Sequence, residues 1–93
     1  MERFVYEFNS DSMSPNIMNG DRLLCTKADI GFFLNGLYLV EMKNELKAVR
    51  VVSDEGDCIK LRTYDNNPDN TQSVKKDYVR GLYKVIALCR VLE

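Results

Sequence analysis

The sequence predicts a single, mostly β domain. Two observations carry that expectation. The apolar residues fall in short runs rich in β-branched and aromatic side chains, and turn signals such as Gly20-Asp21, Asn35-Gly36 and the Asp54-Glu55-Gly56-Asp57 stretch punctuate them. A chain of 93 residues supports one modest hydrophobic core rather than two. No internal repeat, low-complexity linker or Gly/Ser-rich hinge divides it.

Taken in order, "RFVYEF" (3 to 8) is the first strand. Residues 14 to 17, "SPNI", read as one helical turn, with Ser14 as cap and Pro15 at the first helical position, where its fixed φ fits. "DRLLCTK" (21 to 27) is the second strand, and "ADIGFFLNG" (28 to 36) is a loop ending in an Asn-Gly turn. "LYLVEMK" and "ELKAVRVV" make a hairpin that turns tightly around Lys43-Asn44. "DEGD" (54 to 57) then reverses the chain into "CIKLRTYD" (58 to 65). The polar stretch "NNPDNTQSVKKD" (66 to 77), with Pro68, is expected to be a connecting loop. From Val79 to Leu92 the alternation predicts one or two strands broken near Gly81. A helix over 82 to 92 is the alternative, disfavoured by the β-branched content. Such an apolar run either closes the sheet or offers an edge to a second copy.

Composition narrows the functional classes. Hydrophobic residues make up 45% and charged residues 29%, with a formal net charge of -1, the balance of an ordinary globular chain. There is no basic excess, so the electrostatic term that dominates nucleic-acid binding is missing. Lys75-Lys76 reads as solvated surface. No stretch approaches the roughly 20 apolar residues of a membrane span, and the first residues lack a signal-peptide pattern, so a cytoplasmic chain without membrane contact is expected.

Cys25, Cys58 and Cys89 are odd in number, widely spaced and set in apolar runs, which predicts reduced, buried thiols. There is no His, which removes His-based triads and most zinc sites, and no Cys-x-x-Cys spacing. No metal or cofactor is expected. Asp54, Glu55 and Asp57 lack calcium-loop spacing and read as a solvated turn; Asp65, Asn66, Asn67, Asp69 and Asn70 read as loop. Tyr38, Tyr64, Tyr78 and Tyr83, with Phe32 and Phe33, are expected as core and edge packing, with a peptide groove as the alternative.

The segment "NSDSMSPNIMNGD" (9 to 21) introduces chemistry. Read from Ser12, the order is Ser-Met-x-Pro, Asn-Gly-Asp, an apolar strand, Asn35-Gly36, a hairpin and "VRVVSDEGD" (49 to 57). This order resembles the Ser-Lys peptidase fold shared by the C-terminal domains of LexA-type and phage repressors and by bacterial signal peptidases. Residues 9 to 57 carry the motifs; 58 to 93 match by strand order alone. The resemblance implies a LexA/signal-peptidase-like fold of short twisted β-sheets, with at most one short helical turn after Ser12. It also implies Ser12 as nucleophile and the backbone at Met13 on the oxyanion side, while Pro15, Gly20 and Asp21 shape the segment.

The family's general base is a lysine opening a Lys-Arg-Val-Val-like strand before a Gly-Asp turn. Here Arg50 falls on the arginine, Gly56-Asp57 on the turn, and Val49 where the lysine belongs. Taking the hairpin turn one residue longer puts Arg50 at that position instead, and an arginine stays protonated. A serine hydroxyl without a base is a weak nucleophile. Lys47 is the candidate substitute, because period-2 alternation puts it on the face of Val49, roughly 7 Å away along the strand.

Repressors of this type cut their own chain upstream of the serine, but only 11 residues precede Ser12, and no helix-turn-helix pattern fits there. The resemblance therefore implies a self-association domain of a prophage or SOS-type transcriptional repressor that has lost cleavage. Its implied partner is a second copy, with DNA engaged only through a separate N-terminal domain, and a peptide segment near Ser12 is a further candidate. The alternative is an active Ser-Lys peptidase using Lys47, cutting itself or, as a signal peptidase does, another chain.

Overall fold

The short apolar runs resolve into seven strands in a computed structural model, which describes residues 2–10, 13–14, 16–43, 47–64 and 68–90. They are β1 (Arg3–Glu7), β2 (Arg22–Ala28), β3 (Gly36–Met42), β4 (Ala48–Glu55), β5 (Cys58–Arg62), β6 (Gln72–Lys75) and β7 (Val79–Cys89). All join in one antiparallel sheet of order β1-β2-β7-β3-β4-β5-β6. The mostly β class is thus realised as one continuous sheet. The last strand in sequence sits inside it, pairing with β2 on one side and β3 on the other.

Two elements differ from the sequence expectation. The stretch 66 to 77 is not all loop: after a 3-10 turn at Pro68–Asn70, β6 pairs with β5, and a second 3-10 turn follows at Lys76–Tyr78. β6 is a sheet edge whose one buried residue, Val74, faces Ile59, so no apolar alternation announces it. The strand also does not break at Gly81. Gly81 pairs with Glu41, and its bare Cα admits the Tyr83 ring: a Cβ there would lie 2.7 Å from the Tyr83 hydroxyl oxygen.

Strand alternation gives the sheet two apolar faces. On one, Leu39 of β3, Val49 of β4, and Leu23 and Cys25 of β2 are buried, with Leu37, Val51, Phe4, Tyr6, Tyr83 and Val85 packed around them. Phe8, Met13 and Ile17 from the segment between β1 and β2 cover this face. On the other, Tyr38, Val40, Met42, Val52, Ile59, Leu61, Val74 and Leu82 form a second cluster, joined by Ala28, Ile30, Phe33 and Val79. The segment with the serine motif is therefore packed onto the sheet by its own apolar residues.

All three cysteines are free, but the expectation of burial holds only for Cys25; Cys58 is half-buried and Cys89 exposed. Cys89 ends β7, whose last four residues are all exposed. Lys76 is likewise not a plain solvated lysine. Its amine sits 2.9 Å from Asp54 Oδ1 and 5.8 Å from the Phe33 ring centroid.

Candidate functional site

β1 and β2 hold the ends of the serine segment together. The Phe8 N–H donates to the Asp21 carbonyl (2.8 Å) and the Gly20 N–H to the Phe8 carbonyl (2.7 Å). Gly20 adopts φ 93, which suits glycine and lets the chain swing into β2. Within the segment, the Ile17 N–H donates to the Met13 carbonyl (2.9 Å), but the described residues there form no helix. Ser12 and Pro15 lie outside the described residues, as does Asn44 of the expected hairpin turn. Asp65, Asn66 and Asn67 lie outside them too.

Asp21 is the electrostatic anchor. Only 2% exposed, it accepts both arms of the Arg90 guanidinium, Nε–H to Oδ1 (2.9 Å) and Nη2–H to Oδ2 (2.8 Å), and the Met18 N–H at Oδ2 (2.8 Å). Arg90 hydrogen bonding, seconded by the Met18 N–H, holds the Asp21 carboxyl below its ordinary value against the opposing effect of burial. The same pairing raises Arg90. The motif aspartate thus ties the start of β2 to the residue following β7. Nothing local marks Arg90 in the sequence, because it lies 69 positions away. A buried aspartate demands a partner but does not name it.

Met13 is fully buried, and Val49 is 1% exposed in the same cluster. Val49 pairs with Leu39, and its side chain is on the face that the serine segment covers. Arg50, one residue on, falls on the opposite face by alternation, and its Nη1–H donates to the Val49 carbonyl at 2.8 Å. Lys47 follows the period-2 expectation: its amine lies 5.8 Å from the ring centroids of both Phe4 and Tyr83, which pack against the Met13–Val49 cluster. The two rings meet edge to face at 5.1 Å. Lys47 is exposed. Its charge partly offsets the burial that pushes the Cys25 thiol up.

A cleft of about 370 Å³ opens beside this cluster, lined among others by Phe8, Asn9, Ser10, Lys47, Val49 and Arg50. The Gly56-Asp57 turn forms as expected, with Gly56 at φ 86, its N–H on Asp54 Oδ1 (3.0 Å), and the Asp57 carbonyl accepting the Lys76 N–H (3.0 Å). On this face the buried Val49 contact therefore lies beside the exposed amine of Lys47. Among the described residues no group of three or more Cys, Asp or Glu gathers to hold a metal. No helix among them is long and apolar enough to cross a membrane.

No family model matches the chain, and no curated protein matches it.

Proposed function

We propose that this chain is a self-association domain of the Ser-Lys peptidase type that has lost its general base. It is the C-terminal kind of domain by which a prophage or SOS-type repressor pairs with itself, the DNA-reading unit being separate. The observation that carries the reading is Val49, buried in the cluster that contains Met13, next in sequence to Ser12. An apolar side chain there supplies no lone pair, and burial is what would have kept a lysine amine neutral at that point. Arg50, the other candidate for that position, stays protonated and cannot act as the base.

Self-association is supported by the far end of β7. Among the described residues the ladder with β3 stops at Tyr38↔Lys84, so Val85–Cys89 pairs only with β2. Ile86 and Leu88 there are 39% and 42% exposed. A strand with one open side and apolar exposure is a ready surface for another strand.

The experiment is sedimentation velocity of the chain at tens of micromolar. A dimer or larger species is expected; monomer alone contradicts the proposal.

A second reading, an active peptidase with Lys47 as base, draws on the amine's place over Phe4 and Tyr83, beside the same cluster. Its exposure weighs against it, because desolvation is what tunes a lysine into a base.

A further inference from the structure

The loop from 29 to 35 carries the most exposed large apolar side chains of the described residues, Phe32 at 82% and Leu34 at 72%. They are not on a loose segment. The Gly31 N–H donates to Asp29 Oδ1 (2.8 Å) and the Phe32 N–H to the Asp29 carbonyl (3.1 Å), closing a tight turn. The Leu34 carbonyl accepts the Tyr38 hydroxyl (2.7 Å), and Asn35 Oδ1 accepts the Asp54 N–H (2.8 Å). Between the two exposed residues, Phe33 turns inward against Tyr38, with ring centroids 5.5 Å apart. A turn fixed at both ends therefore holds Phe32 and Leu34 out as a finger.

A groove of about 470 Å³ lies directly beside the finger. It exists because β2 ends at Ala28↔Leu82, while β7 begins three residues earlier and pairs there with β3 alone. Ala28, Ile30, Val79 and Leu82 make it apolar, and Lys27 and Arg80 give it positive charge. Asp29, at the root of the finger, is the negative group beside it. Ile30 already lines the groove and the turn is pinned, so Phe32 does not fold back into its own groove.

We infer that this end of the domain is a contact between two copies of the chain, in which the Phe32 finger of each enters the groove of the other. Knob and hole lie side by side on one surface, the arrangement that a two-fold axis makes self-complementary. The charges are complementary: each copy carries Asp29 at the root of its finger and Lys27 and Arg80 in its groove. The inference rests on the self-association reading but names a surface distinct from Val85–Cys89, roughly 20 Å further along β7. Two short fingers bury little area, so this association is weak, with a dissociation constant on the order of micromolar.

The test is a sedimentation concentration series on wild type, Phe32→Ser, Arg80→Glu and, as a surface control, Lys60→Ser, with circular dichroism to confirm folding. The two groups that break the contact from opposite sides, Phe32→Ser and Arg80→Glu, are each expected to raise the dissociation constant of one association step about tenfold or more. Lys60→Ser, at an exposed position outside both surfaces, is expected to leave that step unchanged. A photo-crosslinker in place of Phe32 is expected to couple to residues 79 to 82 of a second copy. Association that survives both substitutions, or crosslinks that fall on 85 to 89, overturns this contact while leaving self-association standing. Wild type that stays monomeric overturns both.

Discussion

Val49→Lys is expected to destabilise the domain by on the order of 3 kcal/mol and, at the same time, to make Ser12 reactive towards a serine-directed phosphonate probe. Both effects have one cause. The side chain at 49 is 1% exposed among Leu39, Met13 and Cys25. An ammonium placed there is desolvated, which costs stability and drives the amine towards its neutral form. On the proposed reading, a neutral amine on the face the serine segment covers supplies the hydroxyl with a base. Denaturant unfolding reads the first effect and the time course of labelling the second, with labelling rising as pH rises through the amine's lowered titration. A variant as stable as wild type and equally unlabelled contradicts the assignment of position 49.

Arg90→Leu is the second large effect. It removes both hydrogen bonds that the guanidinium gives Asp21 and leaves a buried carboxylate with the Met18 N–H. Because pairing with Arg90 lowers the Asp21 carboxyl in the folded state, the stabilisation is complete above its ordinary value of 3.8 and is lost as pH falls below it. Arg90→Leu is therefore expected to destabilise the chain clearly at pH 7 and much less near pH 2.5, so that its acid-unfolding curve is shallower than wild type's. Asp54, lowered in the same direction by Lys76, supplies a comparison. Lys76→Ala removes a pair whose carboxylate is 34% accessible against 2% for Asp21, and is expected to cost less at pH 7. Equal losses at both pH values for Arg90→Leu contradict a charge-based clamp and leave only packing.

The residues that alternate cleanly were the legible ones. β1 to β5 follow from short apolar runs between Gly or Asn turns, and the period-2 rule placed Lys47 and Val49 on one face. β6 was hidden because an edge strand with one buried residue carries no pattern. The unbroken passage of β7 through Gly81 depends on a tyrosine ring two residues on, which local propensity does not contain. The Asp21–Arg90 clamp was out of reach for another reason: the buried acid was visible as a motif, but its partner comes from the residue following β7. Phe32 and Phe33 are neighbours with the same side chain, yet one is 82% exposed and the other packs on the core, a difference made by the pinned turn and not by composition.

The central claim is that the serine of this segment has no base. It is tested most directly by incubating wild type and Ser12→Ala with the phosphonate probe from pH 7 to 9.5 and comparing labelling rates by mass spectrometry. The account predicts that the two are indistinguishable across the range. Wild-type labelling that Ser12→Ala abolishes contradicts it, and if Lys47→Ala abolishes the same labelling, the chain is a peptidase with Lys47 as its base.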